Sequence, residues 1–355
     1  MQETELAGLS TNHLAEATRC YSRAHMPEVK VAVIVPYYQR ESGILRRALA
    51  SVSRQQRTHN VSLRIFVADD SSPVPANSEV RAATLPQSVP VDVLQRANGG
   101  PGAARNTALD VLPEDTSYVA FLDSDDEWSD DHLANAVHAL ESGGDFYFAN
   151  HYQLEQGVGA FERAHRIHAM SHAVIGPDTP WLHRYEGNMR DQIITGNVIG
   201  TSTVVYRWAI ARHVRFREEY RNAGEDYLFW LDLVSLNSTI VFSERCECRY
   251  GKGVNVFSGA RWGSTEALDR TKDEIKYHKA ISDGYVLTQA QRNHLSRAIG
   301  ALRRKYALNM FHRLVRLQPI GRHRLWSHFR SDPMSFLQLP WNLLQNARLR
   351  WRKVE

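Results

Sequence analysis

Cysteine is scarce: Cys20, Cys246 and Cys248 are the only three in 355 residues. They form no evenly spaced framework and no C-x-x-C pair, which excludes a disulfide scaffold and a structural zinc site of the usual spacing. A reducing, cytoplasmic setting is the expectation. Long apolar runs are missing too, since no uninterrupted stretch approaches the roughly 20 residues needed to cross a bilayer. The opening MQETELAGLS has neither the basic nor the apolar segment of a signal peptide. The chain is therefore expected to be neither exported through such a peptide nor integral to the membrane. Carboxylates are depleted at one end. Between Gln291 and Glu355 fourteen Lys and Arg face two acids, Asp332 and Glu355, in a chain of net charge +4. Internal repeats and low-complexity tracts are also absent.

What is present is an ordinary globular composition, 43% apolar and 23% charged, in a chain long enough to bury a full core. VKVAVIVPYY (29–38) is a β-branched run followed by SGILRRALASVSRQ, where Ile44, Leu45, Ala48, Leu49 and Val52 share one helical face. The unit repeats. VSLRIFVADDSS, VPVDVLQ (89–95) and SYVAFLD (117–123) are further apolar runs, the last two leading into the helical patterns ANGGPGAARNTALDVL and DDHLANAVHALESGG. Such alternation predicts an α/β fold with a mostly parallel sheet covered by helices on both faces, whose ligand lies at the carboxyl ends of the strands. Residues 1–28 read as a peripheral helical segment stopped near Pro27. Residues 151–195 read as an insertion or acceptor-facing loop, GNVIGTSTVVYR (196–207) as a strand, and NAGEDYLFWLDLVSL as a helix with Glu225 and Asp226 in its first turn. From Ala267 onward the pattern is helical, basic and aromatic.

Acids gather where strands end. Asp123-Ser124-Asp125 is a spacing that lets two carboxylates share a hard divalent cation; capping of the next helix is the competing explanation. Asp69 and Asp70 could read the N–H and O–H groups of a base or ribose, or close an Asx-turn. The turn Asn98-Gly99-Gly100-Pro101-Gly102 opens a helix and allows close backbone approach to a phosphate, yet Arg105 stands where a dinucleotide fingerprint needs glycine. A nicotinamide site is disfavoured. Arg105 itself suits a diphosphate or a surface ion pair, and Glu225-Asp226 suits a base or a dipole-favouring helix start.

Taken together, VAVIVPYYQR, IFVADDSS, NGGPGAARNTAL, YVAFLDSDDEW and GEDYLFWLDL occur in the order and spacing of the family 2 inverting glycosyltransferases with the GT-A fold, which this chain resembles over residues 30–235. RYGKGVNVFSG brings it nearest to bacterial exopolysaccharide glucosyltransferases of the succinoglycan type. The resemblance implies a UDP-sugar donor, a manganese or magnesium ion, and a glycan acceptor, with glucose as the sugar. By the same resemblance Pro36 and Tyr38 line the nucleotide pocket, Asp69 and Asp70 contact uracil and ribose, and Arg105 and Asn106 lie near the donor. Asp123 and Asp125 form the D-x-D motif, Asp125 being the direct metal ligand. Asp226 of the Glu225-Asp226 pair is the general base. Where many relatives carry a histidine on a closing loop this chain reads Arg249-Tyr250-Gly251-Lys252-Gly253, so Lys252 or Arg249 is left to supply that charge. The implied domains are a peripheral segment 1–28, a catalytic domain 29–265 with donor half 29–150 and acceptor half 151–265, and a basic helical region 266–355.

Leu295, Ile299, Leu302, Tyr306, Met310, Leu314 and Leu317 recur at helical spacing among arginines. Two readings stand: a helix lying on an anionic membrane surface, which Trp341 and Trp351 among the later arginines favour and which suits a lipid-linked acceptor, or a helix packed on the catalytic domain. A nucleic-acid arm lacks any accompanying signature. A sugar-phosphate nucleotidyltransferase and a non-enzymatic scaffold are the remaining alternatives.

Overall fold

The structure is a computed structural model that describes residues 28–55, 60–153, 157–253 and 261–344. The expected N-terminal helical segment, Trp351 and the end of RYGKGVNVFSG lie outside those residues. The frame is set by β1 (Val29–Tyr37), β2 (Val61–Asp69), β3 (Val91–Gln95) and β4 (Tyr118–Phe121), joined in parallel in the order β3-β2-β1-β4. Register matters for function: Tyr37 stands opposite Asp69, and Asp69 opposite Gln95. The strands therefore finish together, and the residues just past each end share one rim.

β1 has no polar face because both of its faces are covered. Val31, Val33 and Val35 pack with Leu45, Leu49 and Val52 of α1 (Ile44–Ser53), whereas Ala32 and Ile34 join the opposite layer. The period of two is present, but it separates two buried faces rather than inside from outside. Helices α2 (Ala76–Ala82) and α3 (Pro101–Leu109) complete the donor-side connections.

The second half of the sheet departs from the sequence reading. β5 (Glu127–Trp128), α4 (His132–Glu141) and β6 (Phe146–Tyr152) follow the D-x-D segment. The 151–195 stretch expected as a loop holds α5 (Ala160–Ala164), two short strands, β7 (Ala173–Val174) and β8 (Leu182–Arg184), and α6 (Met189–Gly196). Of the strand expected at 196–207 only β9 (Val205–Arg207) forms, and it runs antiparallel between β4 and β6. The reason is local: Asn197 folds its amide onto both Ile199 N and Ile199 O, and Thr201–Thr203 winds into a 3₁₀ turn. Beyond α7 (Glu225–Val234), β10 (Ile240–Arg249) pairs in parallel with β6 and antiparallel with β5 and β8. The described residues thus form one ten-stranded, mostly parallel sheet of order β3-β2-β1-β4-β9-β6-β10-β8-β7, with β5 attached to β10.

Four helices follow: α8 (Thr265–Gly284), α9 (Gln289–Val315), α10 (Arg322–Ser331) and α11 (Met334–Leu337). A capping box between Thr288 and Gln291 starts α9. Its predicted apolar stripe is divided: Leu295, Tyr306 and Met310 are buried, whereas Leu314 and Leu317 are exposed. No helix among the described residues is long and apolar enough to cross a membrane. Asp332 ties this region together, buried between Arg303 Nη2 at 2.6 Å and Lys279 Nζ at 3.4 Å.

Burial would raise the Asp332 pKa, but hydrogen bonds from Arg303 and Ser335 and the charges of Arg303 and Lys279 outweigh it and hold the carboxyl down at about 2. A depressed acid stabilises the fold above its unfolded value near 3.9 and loses that contribution as pH falls toward 2. Asp332→Asn is expected to cost about 2 kcal/mol at pH 7. Urea melts of both proteins from pH 7 down to pH 3 should show the gap narrowing below about pH 4; a gap independent of pH would remove the ion pair from this role.

Candidate active site

A cleft of about 1060 Å³ opens along the rim where β1, β2 and β4 end. Pro36, Tyr38, Asp70, Arg105, Asp123, Asp125, Glu225 and Asp226 all line it. Four sites named from the sequence do not: Asp69, Asn106, Arg249 and Lys252 are absent from the lining.

The departures have physical reasons. Both oxygens of Asp69 are occupied inside the β2–α2 turn, by Ser72 N at 2.8 Å, Ala76 N at 2.9 Å and Gln95 Nε2 at 3.2 Å. That is the Asx-turn alternative. Asn106 exchanges bonds with the Phe216 backbone, 2.8 Å each way, and donates to Glu218 Oε1 at 2.9 Å, so its amide pins the chain before α7 to α3. Lys252 is exposed. Asp70 does line the cleft, although its carboxylate also accepts from Gly99 N and Gly100 N at 2.8 Å each and from Arg96. It shapes the Gly-rich turn from beneath.

Arg105 is the central cation. Its side chain is 3% exposed; Nη2 reaches Asp123 Oδ1 at 2.6 Å, Nη1 lies 3.8 Å from Glu225 Oε1, and the guanidinium sits 5.2 Å from the Phe216 ring centroid. Burial disfavours its charge, but Asp123, Glu225 and Asp226 together more than compensate and raise its pKa. The surface ion pair considered from sequence is thereby excluded. On the acidic side, burial lifts Glu225 to about 8, helped by the Asp226 charge and opposed by Arg105. Asp226 is raised as well, by burial, against the pull of Arg105 and the Tyr227 N–H. Its Oδ1 accepts from Tyr227 N at 2.8 Å and its Oδ2 faces Thr201 Oγ1 at 3.4 Å.

The stretch that crowds Asp123, Asp125 and Asp126 is held from two sides. Ser202 Oγ accepts from Asp123 N at 2.9 Å and donates to Asp126 Oδ2 at 2.5 Å. From the other side Gly251 N donates to Asp126 Oδ1 at 2.9 Å and Gly253 N to Asp125 Oδ2 at 2.8 Å. The 251–253 segment brings backbone N–H groups to these acids. Asp125 is raised by burial and by Asp123, and Asp126 well above the usual range by burial and both neighbours.

Whether this pair suits a divalent ion can be judged from its oxygens. Among the described residues nothing donates to Asp123 Oδ2 or Asp125 Oδ1, and no group of three His, Cys, Asp or Glu is placed to hold an ion. Two carboxylates with mutual repulsion to relieve, the remaining ligands coming from a diphosphate and water, match the usual magnesium or manganese arrangement.

Sequence reasoning missed the cleft's other half. His151 and Tyr250 stack at 4.6 Å, and burial pushes His151 down to about 4, so it is neutral near pH 7. They stand at the ends of β6 and β10, and the strand-end rule would have found them had those strands been assigned. Tyr37 and Thr201 also line the cleft.

The chain belongs to glycosyl transferase family 2, whose sequence model matches residues 32–213. It is a glycosyltransferase with the GT-A fold, which decides between the enzyme and scaffold readings. Succinoglycan biosynthesis protein ExoW of Rhizobium meliloti (strain 1021) is 34% identical over 241 residues, covering 64% of this chain and 70% of that protein. Among solved structures, S. aureus TarS 1–349 in complex with UDP-GlcNAc aligns with TM-score 0.50 at 19% identity, over 81% of this chain and 73% of that one. Mannosyltransferase PcManGT from Pyrobaculum calidifontis, in complex with GDP-Man and Mn2+, aligns with TM-score 0.51 at 16% identity over 93% and 94%. These two establish likeness of fold.

A Cβ on Gly251 would overlap the Asp125 carbonyl oxygen, a backbone atom that cannot swing aside. Gly251→Ala should therefore lower the melting temperature by roughly 2–4 °C. Gly284→Ala, where a Cβ meets nothing within 4 Å, should leave it nearly unchanged. Equal shifts in the two variants would refute this packing account.

Proposed function

We propose that the protein transfers glucose from UDP-glucose to a hydroxyl of a lipid-linked glycan, with inversion at the anomeric carbon, in the building of an exopolysaccharide. The observation that carries the reading is the buried Arg105, which joins Asp123 of D-x-D to Glu225, the neighbour of Asp226, within one cleft. One guanidinium thus links a donor-diphosphate end to a base. The likeness to ExoW supports an exopolysaccharide product.

Chemistry follows from the placement. Asp226 accepts the proton of the acceptor hydroxyl as that oxygen attacks the anomeric carbon from the face opposite UDP. The carbon–oxygen bond to the β-phosphate breaks and its electron pair leaves with UDP. Burial lifts Glu225 to about 8, so Asp226 is assigned as the base of the pair. Asp123 and Asp125 would hold a manganese or magnesium ion, which when bound supplies charge neutralisation to the departing diphosphate. Pro36, Tyr38 and Asp70 border the nucleotide. With one base and no second carboxylate assigned as nucleophile, an α-linked donor gives a β-linked product.

Action at the inner face of the cytoplasmic membrane is supported by the C-terminal surface. Trp326, Trp341, Leu317 and Leu337 are exposed there, among arginines and with Asp332 the sole acidic side chain between Gln291 and Val354.

The test is UDP release across a panel of UDP-sugars with manganese, magnesium or chelator. Asp226→Asn should lose about 10²- to 10⁴-fold in rate while still binding UDP by calorimetry. Glu225→Gln, which imitates the protonated acid, should keep more than about a tenth of the rate. Equal losses in the two would unseat Asp226 as the sole base. Asp125→Ala should abolish the enhancement of UDP binding by metal, and an unaltered metal titration would contradict the D-x-D assignment.

A further inference from the structure

The cleft continues past Asp226. Asn197, Thr201 and Tyr227 line it there together with Arg270, Glu274 and Tyr277. The last three belong to α8, which the sequence reading assigned to a separate basic region and which lies beyond the residues matched by the family.

Helix α8 is fastened to the segment that carries the base. Asp273 Oδ2 accepts from Asn222 Nδ2 at 2.7 Å, and Lys276 Nζ lies 4.4 Å from the Tyr220 ring centroid while donating to Glu219 O at 3.2 Å. Gly224, at φ +97° immediately before α7, is so close to Tyr277 that a Cβ there would meet the Tyr277 Cβ at 2.6 Å. Tyr277 in turn meets Tyr227 edge-on at 5.6 Å. A displacement of α8 therefore displaces Asp226.

On this fixed support Arg270 Nε donates to Glu274 Oε1 at 2.9 Å, one turn further along the helix, and Lys305 Nζ reaches Glu274 Oε2 at 3.2 Å. A guanidinium only donates and a carboxylate only accepts, so the two side by side satisfy adjacent hydroxyls, each of which does both. The Tyr227 and Tyr277 rings beside them offer an apolar face to ring C–H groups. Alternating hydroxyls along a C–H face are what a pyranose presents.

We propose that α8 supplies the acceptor subsite: Arg270 and Glu274 bind hydroxyls of the acceptor's terminal sugar, and Tyr227 and Tyr277 together line one side of its ring. The assignment rests on Asp226 being the base, because the attacking hydroxyl must reach that carboxylate from the wall not taken by Arg105 and the D-x-D segment.

The whole chain, with the UDP-sugar found to be its donor, is assayed for UDP release against octyl β-glucoside, octyl β-galactoside and octyl N-acetyl-β-glucosaminide. Glu274→Gln and Arg270→Gln should each raise the acceptor KM about tenfold, while the donor KM and UDP affinity stay within about twofold. Two variants guard against misfolding of one, and melting curves identify it. An unchanged acceptor KM in both folded variants overturns the subsite, as does a rise matched by an equal loss of UDP affinity. Donor turnover in the parent protein that none of the three glycosides accelerates overturns its saccharide character. Absence of both UDP release and UDP binding defeats the functional reading itself, and this inference with it.

Discussion

A guanidinium taken out of water is tolerable only where carboxylates surround it, and Arg105 of α3 meets that condition with groups from two other parts of the chain. Asp123 comes from the loop after β4, and Glu225 and Asp226 from the first turn of α7. Breaking a buried pair of this kind leaves an uncompensated charge and costs about 3–5 kcal/mol, so the three parts are held to one geometry. The same residue that makes the core electrostatically acceptable sets the distance between the D-x-D acids and Asp226. Asn106, its neighbour on α3, reinforces the arrangement by gripping the backbone at Phe216.

Crowding acids is costly unless their oxygens find donors, and the cleft meets part of this need with short, rigid groups. Ser202 and the N–H groups of Gly251 and Gly253 reach Asp125 and Asp126, and close approach at Gly251 leaves no room for a side chain. A long side chain such as Lys252 would bring charge, but a backbone N–H brings a donor with no rotamer freedom to lose. The 251–253 segment thus holds the acids through its own backbone.

The C-terminal region divides into parts with different work. Helix α8 is packed on the base-bearing segment and belongs to the cleft, and α9 begins against the same core through Leu295, whereas Leu317, Trp326 and Leu337 further on face outward from a small core of Leu268, Tyr306, Met310 and Ile320. A boundary at residue 265 follows composition.

Short-range periodicity carries most of the fold: β1 to β4, α1, α3, α4 and α7 lie where alternation and helical spacing place them, because such patterns record which faces are buried. Strand ends in a parallel sheet meet at one rim, so the positions of Asp70, Asp123 and Asp125 were legible from the spacing of the sequence, whereas Asp226, in the first turn of α7, was placed only by the family resemblance. The use of each polar group was not. Asp69 is consumed within its own turn, Asn106 binds a backbone 110 residues away, and β6, β10 and α8 bring His151, Tyr250 and Tyr277 into the cleft from segments without a distinct local signal. Hydrogen-bond partners and cleft walls are settled by residues distant in sequence, and one-dimensional spacing holds no record of which of them meet.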